Sequence, residues 1–277
     1  MLPCAEHTYK FHMLHVVSTP IGNLKDITVR SIETLKTVDT IVCEDTRVSG
    51  VLLNHLQIQK PLIFYNDHNA PVVRPKILRL LQTGQTVALI SDAGTPLISD
   101  PGYKLVQLCL EQNIPITVEP GPSAVLTALI YSGFPPYPFF FGGFFDKKFL
   151  HELQHINGTL VFFESAKRML NVLDYLIHHH IPRAISISRE MTKKFEETRR
   201  GSLEEVKQSL IVKSIKGEVT FCLSPLLHSI YDQEAIDALL QEHMKTLPPK
   251  TAAKLVSEMT GEKVNTLYKR GLFLKNI

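Results

Sequence analysis

An α/β fold built around a mostly parallel sheet is predicted by three observations. Short β-branched and aliphatic runs alternate with helical patterns through the first half of the chain. Five of those runs end abruptly in polar, Gly or Pro residues, as a buried parallel strand does where it empties into a ligand-contacting loop. The length, 277 residues, suits about two domains and a sizeable core.

The first strand is Leu14 to Ser18, running into Thr19, Pro20, Ile21, Gly22 and Asn23, and residues 1–13 before it read as a lead-in without apolar period. A helix is predicted over Ile27 to Lys36, with Asp26 as its N-cap. The second strand, Thr40 to Cys43, empties into Glu44, Asp45, Thr46 and Arg47 and is followed by a helix over Val48 to Leu56. Leu62 to Tyr65 leads into Asn66, Asp67, His68 and Asn69, then a helix over Val72 to Gln82. His68 is the histidine best placed for function, since it lies at a strand end. Thr86 to Ile90 opens into SDAGTPLISDPG, Ser91 to Gly102, and a helix over Tyr103 to Glu111. Ile116 to Glu119 ends in Pro120, Gly121, Pro122 and Ser123. A ligand of such a sheet sits outside the carboxyl ends of the strands, at a topological switch point.

The segment GFPPYP, 133–138, is stiff punctuation and marks a domain boundary. Beyond it come strand-like runs at Phe139 to Phe141, Thr159 to Phe163, Ala184 to Ser188 and Glu218 to Leu223. Helical patterns cover Ala166 to Ile177 and Ser202 to Val212. Some antiparallel pairing is expected, because Glu197 to Gly201 is too short to cross over. After Pro248 and Pro249 a helix over Lys250 to Met259, a turn at Thr260 and Gly261, and a helix over Val264 to Arg270 form a small helix-turn-helix-like unit. The expected divisions are 1–13, 14–133, 134–225 and 226–277, the last a helical region.

The net charge of +3 does not by itself argue for nucleic acid, but its distribution is uneven. Lys250, Lys254, Lys263, Lys269, Arg270 and Lys275 face only Glu258 and Glu262, so the tail carries the whole basic excess. On sequence alone such a pair of helices is more often a docking or dimerisation appendage than a nucleic-acid reader. Cys4, Cys43, Cys109 and Cys222 lack C-x-x-C spacing, so neither a zinc site nor a disulfide framework is suggested, and no metal is expected. No apolar stretch spans a bilayer and no signal-peptide h-region opens the chain, which points to a cytoplasmic protein with no membrane partner.

The loop 91–102 limits what can bind there. Gly94 and Gly102 allow close backbone approach or positive φ, while Pro96 and Pro101 stiffen the turns. With Asp92 and Asp100 and no Lys or Arg, the loop repels a pyrophosphate and suits ribose hydroxyls, an ammonium or a sulfonium. It is neither a P-loop nor a G-x-G-x-x-G dinucleotide fingerprint. In the second half, Arg189, Glu190, Met191, Thr192, Lys193 and Lys194 follow a strand, so a general acid or base can stand there beside a phosphate-binding charge; the bland alternative is a solvated turn. Glu164, Lys167 and Arg168 repeat that pattern more weakly. His178, His179 and His180 finish a helix and are adjacent, which suits a helix dipole and not a metal.

HVVSTPIGNLKDITVRSIETLKTVDTIVCEDTR, SDAGTPLISDPGYKLV, EPGPSA, FFES and REMTKKFEE, in that order, resemble the ribosomal RNA small subunit methyltransferase I family. These are 16S rRNA (cytidine-2′-O)-methyltransferases within the tetrapyrrole methylase superfamily. The resemblance runs from about Leu14 to Leu223, and the tail PPKTAAKLVSEMTGEKVNTLYKRGL resembles the family's C-terminal helical region. It implies two α/β domains with S-adenosylmethionine in the cleft between them, a homodimer, and methyl transfer to a cytidine ribose in the decoding centre of the 30S subunit. It further implies a cofactor site formed by Pro20, Asp92, Ala93, Gly94, Thr95, Pro96, Leu97, Ile98, Ser123, Ala124 and Phe163. For an in-line attack by a 2′-hydroxyl, Glu190 and Lys193 are the expected catalytic pair, with Asp45 and Arg47 orienting ribose and phosphate. The chain departs from the family pattern in placing Asn66 and Lys167 where imidazoles usually stand, so neither position is assigned to proton transfer. The rival readings are a methylase of the same fold acting on a tetrapyrrole or other small molecule, a non-catalytic RNA-binding assembly factor, and a generic nucleotide enzyme, which the missing phosphate loop disfavours.

Overall fold

The computed structural model describes residues 12–149, 156–226, 233–260 and 262–275. The expected lead-in, apart from His12 and Met13, lies outside them, as do Cys4 and the turn residue Gly261.

Two five-stranded sheets organise the chain. The first contains β1 (Met13–Val17), β2 (Thr40–Cys43), β3 (Leu62–Phe64), β4 (Thr86–Ile90) and β5 (Ile116–Glu119), in the order β3-β2-β4-β1-β5. Every pairing in it is parallel. Crossover helices α1 (Val29–Thr37), α2 (Thr46–His55), α3 (Ala70–Gln82) and α4 (Tyr103–Glu111) cover both faces. Leu35 of α1 and Leu53 of α2 pack with Val17, Ile41 and Ile90 on one face. Ile77 and Leu81 of α3 and Leu105 of α4 pack with Leu14, Val16, Val42 and Leu89 on the other. Burying both faces is why these strands read as continuous apolar runs instead of alternating ones.

The first three helices start two residues away from expectation, the third at Ala70 instead of Val72, and two of the starts show why. The first helix is capped by Thr28, whose side chain accepts the Ser31 amide, while Asp26 closes a 3-10 turn before it. The second begins at Thr46 with Asp45 as cap, its carboxylate accepting the Arg47 amide. In both places two capping residues stand close together, and the one whose oxygen meets an orphan amide sets the start.

The second sheet holds β6 (Phe139–Phe144), β7 (Thr159–Ser165), β8 (Ile185–Arg189), β9 (Glu197–Gly201) and β10 (Glu218–Leu223), in the order β6-β7-β10-β8-β9. Only β6 and β7 pair in parallel; β8 and β9 form the expected antiparallel connection. Helices α6 (Ala166–His178) and α7 (Leu203–Val212) cover one face, where Phe162 and Phe221 stack at 5.3 Å between ring centroids. The other face is covered by α5 (Ala124–Ser132), a helix the sequence pattern does not reveal. In sequence α5 precedes the Pro-rich boundary, yet Val125, Ala128 and Leu129 pack on Val161 and Cys222 of the second sheet. It therefore joins the two sheets.

Three C-terminal helices, α8 (Gln233–Met244), α9 (Pro249–Thr260) and α10 (Val264–Lys275), share a core of Ile236, Leu240, Ala253, Val256 and Leu267. Two were expected, and α8 is additional. Among the described residues no helix is long and apolar enough to cross a membrane. Cys43, Cys109 and Cys222 are buried free thiols.

Candidate active site

The carboxyl ends of the first sheet open toward the second sheet, and the space between is a cleft of about 350 Å³. This is within the size range of small-ligand sites. Its first wall comes from strand ends. Ile21 follows β1, Glu44 follows β2, residues 92–95 and 98–100 follow β4, and Ser123 and Ala124 open α5. Its second wall comes from Phe144, Phe163, Glu164, Glu190, Met191 and Lys193, with Glu218, Val219 and Thr220 of β10.

Backbone hydrogen bonds fix the first wall. The Thr19 amide donates to the Gly94 carbonyl at 2.8 Å and the Gly94 amide returns a bond to Thr19 at 3.1 Å. The Thr19 hydroxyl donates to the Ser91 carbonyl at 3.1 Å, and the Thr95 hydroxyl to the Pro122 carbonyl at 3.2 Å. Three strand-end loops are thus tied together. Gly94 stands at φ +81°, where an added Cβ would lie 3.3 Å from Ile21 Cγ2. Leu97 and Ser99 also have positive φ, at 74° and 67°, which costs roughly 1–3 kcal/mol each and marks the loop as held in shape by its surroundings.

On the second wall the turn after β8 carries two further strained residues, Glu190 at φ 49° and Thr192 at φ 66°. The turn brings Lys193 Nζ to 3.2 Å from Glu190 Oε1. Gly22 lets the β1 loop approach this turn, since a Cβ there would lie 2.6 Å from Lys193 Cγ and 2.7 Å from the Met191 carbonyl oxygen. The two walls touch at this point. Phe163 is held edge-on by Phe141 and Phe144, with centroids 4.9 and 5.8 Å away.

The structure brings Asp92, Ala93, Gly94, Thr95, Ile98, Ser123, Ala124, Phe163, Glu190 and Lys193 into the cleft. Three residues of the expected cofactor set are elsewhere. Pro20 lines a neighbouring apolar groove with Leu24, Val48, Val51 and Leu52, joined to the cleft through Asp92. Leu97 packs into the core of the first sheet, and Pro96 is buried outside the cleft lining, because the positive φ at Leu97 turns the chain inward there. Asp45 and Arg47 also lie outside the lining. They pair with each other at 2.6 Å on the first turn of α2, with Arg47 almost wholly exposed, and Asp45 reaches the cleft only through its amide, which donates to Asp92 Oδ1 at 3.0 Å. His68 is exposed and outside the lining.

Electrostatically the cleft is acidic. Glu44, Asp92, Asp100, Glu164, Glu190 and Glu218 line it, against Lys193 as the one Lys or Arg among its described residues. Burial, followed by the facing carboxylates of Asp100, Asp92, Asp67 and Asp45, pushes the Glu44 carboxyl up to about 7. Burial likewise pushes Asp100 up to about 6, with the Ser91 hydroxyl offsetting part of the effect. Asp92 is raised by burial against the opposing Asp45 amide. Asp45, bonded by the Arg47 guanidinium and amide, falls to about 2. The sequence shows these carboxylates as strand-end residues, but their convergence depends on which strands are neighbours.

Comparison with known proteins agrees with this architecture. The model of the tetrapyrrole (corrin/porphyrin) methylases matches residues 13–207, and that of the RsmI C-terminal HTH domain matches residues 232–275. A ribosomal RNA small subunit methyltransferase I from Mesorhizobium japonicum is 42% identical over 271 residues, covering 95% of this chain and 92% of the relative. The protein of that name from Rickettsia prowazekii is 39% identical, covering 93% of each. Among solved structures, a diphthine synthase superposes with a TM-score of 0.61 at 14% identity, over 76% of this chain and 90% of that one. A uroporphyrin-III C-methyltransferase from Thermus thermophilus, complexed with S-adenosylhomocysteine, gives 0.56 at 17% identity over 78% and 98%. At those identities the structural likeness speaks for the fold alone.

Proposed function

Because the chain belongs to the ribosomal RNA small subunit methyltransferase I family of tetrapyrrole methylases, we propose that it methylates the 2′-hydroxyl of a cytidine ribose in the decoding centre of 16S rRNA. The donor is S-adenosylmethionine, and the substrate is the 30S subunit. The observation that carries this reading is the charge of the cleft, whose carboxylates outnumber its one lysine. A polyphosphate would be repelled there, whereas a sulfonium, an ammonium and ribose hydroxyls each find a carboxylate or backbone partner.

The residues present fit such a donor. Gly94 holds the loop at a positive φ, and Asp92, Ala93, Thr95, Ile98, Ser123, Ala124 and Phe163 line the cleft around it with polar and apolar groups. Bound there, S-adenosylmethionine supplies an electrophilic methyl group. The chain's own work is positioning and charge. Lys193 offers an ammonium to the negative charge that develops on the attacking oxygen, and Glu190 holds that ammonium in place at 3.2 Å. Arg47, exposed on the rim, is suited to a phosphate and Asp45 keeps its guanidinium oriented. The basic C-terminal helices extend the contact to rRNA. A homodimer, as the family resemblance implies, working in the cytoplasm where ribosomal subunits are found, completes the proposal.

The test uses 30S subunits lacking the modification and methyl-labelled S-adenosylmethionine. Label in a cytidine whose 3′-phosphodiester resists alkali supports the reading, because alkaline cleavage needs a free 2′-hydroxyl. Label on a base, or acceptance of the methyl group by a tetrapyrrole and not by 30S subunits, overturns it.

A further inference from the structure

We infer that Glu44 is the general base that takes the proton from the acceptor hydroxyl, an inference that rests on the ribose-methylation reading above. Glu44 follows β2 directly, and its side chain forms part of the cleft wall. Most of the other carboxylates of the cleft are occupied or solvated. Asp92 accepts the Asp45 amide at 3.0 Å, and Asp100 stands further along the same loop, with the Ser91 hydroxyl offsetting part of the effect of its burial. Glu164 accepts the Ser165 amide at 2.6 Å and pairs with Arg168 at 2.7 Å. Glu190 holds Lys193, and Glu218 is exposed at the start of β10. Glu44 is partly buried, and among the described residues no protein group donates a hydrogen bond to it. A half-buried carboxylate without a protein donor is free to accept a hydrogen bond from a ligand.

Its surroundings match that task. Asp92 and Asp100 face it from the loop after β4, Asp67 from the turn after β3, and Asp45 from the cap of α2. Across the cleft stand Glu164, Glu190, Glu218 and the cation Lys193. With a carboxyl pushed to about 7, Glu44 is divided between its acid and base forms at neutral pH, where a general base works best. Glu190 is less suited, because Lys193 already occupies its carboxylate, and it acts as a positioning residue. In the step itself the hydroxyl O–H bond breaks and its proton passes to a Glu44 oxygen. The oxygen's electron pair forms the new O–C bond, and the carbon–sulfur bond of the donor breaks with its pair retained by sulfur, leaving a neutral thioether.

Glu44→Gln keeps the shape and removes the basicity, and Glu44→Asp keeps the basicity on a shorter stem. In single-turnover methyl transfer to 30S subunits the wild-type rate should rise with pH through about 7. The Gln variant should fall by roughly 10²-fold and lose that rise, and the Asp variant should keep it at a reduced rate. Affinity for S-adenosylmethionine, measured by calorimetry, should be unchanged in both. Independently of turnover, carbon NMR of the carboxyl groups in the donor-free protein should show one glutamate titrating near 7 that is absent from the Gln variant. A pH rise retained by the Gln variant, a loss of donor affinity that accounts for its lost rate, or no such NMR titration would overturn the role. If wild type itself yields no alkali-resistant cytidine, the ribose reading fails. If it does and the Gln variant matches it at every pH, only the assignment of Glu44 fails.

Discussion

Single residues in this cleft are under two constraints, conformation and charge, and each can be tested alone. Gly94 bears the first. Gly94→Val puts a β-branched side chain at φ +81° and 3.3 Å from Ile21, so a folded variant should lose S-adenosylmethionine binding in calorimetry; unchanged affinity would remove the loop from the donor site. Lys193 bears the second. Lys193→Met keeps most of the stem packed beside Gly22 and removes the charge, so single-turnover methyl transfer should drop by about 10²-fold while donor affinity holds. A loss confined to RNA binding would make Lys193 a phosphate anchor instead. Asp92 and Gly94 could be picked out in the sequence from the loop after β4, and Glu190 and Lys193 from the turn after β8, whereas Ser123 and Phe163 came with the family resemblance. The part played by Glu44, Asp100 and Glu218 could not. It comes from burial and from loops far apart in sequence meeting across strand order, neither of which a local pattern encodes.

At the level of elements, the parallel strands of the first sheet were legible because their sheet is covered on both faces and they read as apolar runs, and Thr40–Cys43, Thr86–Ile90 and Ile116–Glu119 match expectation at both ends, as does the antiparallel Glu218–Leu223. Helix α5 was hidden because it is apolar on its exposed side as well. Its sequence AVLTALIYS has no polar stripe, since Val125, Ala128 and Leu129 pack on the second sheet while Leu126 and Ile130 remain exposed, so no helical period stands out. The C-terminal helices have a core of their own, tied further by the ion pair of Arg270 with Asp237. Arg270 therefore serves the unit's fold, which leaves Lys250, Lys254, Lys263, Lys269 and Lys275 as the tail's other basic residues. Deleting 227–277 should leave donor affinity intact, weaken binding to 30S subunits, and reduce the salt slope of that binding by about 0.7–0.9 for each phosphate that is no longer neutralised. Full affinity with the original slope would support a docking role for the helices.

For the molecule as a whole, the acidic cleft couples stability to pH. Glu44 and Asp100 have folded-state values of about 7 and about 6, above their ordinary 4.5 and 3.8. Groups raised in this way contribute stability that is fully present below the ordinary value and is lost as pH rises through the folded one. The donor-free protein should thus melt at a higher temperature near pH 5 than above pH 7, and Glu44→Gln should flatten the upper part of that change; a melting temperature independent of pH in this window would contradict the burial of these carboxyls. Asp45, at about 2, contributes only to a loss in stronger acid. The strand order has a different consequence, one that concerns how the molecule is made. β1 lies between β4 and β5, and Met13 pairs with Thr86 while Leu14 pairs with Ile116. A chain emerging from its amino end therefore holds an apolar strand with neither neighbour until most of the first sheet has been synthesised. Such long-range parallel pairing is slow and leaves sticky backbone edges waiting, so early arrest of synthesis before β4 should yield aggregation-prone fragments, and fragments extending past β5 should stay dispersed.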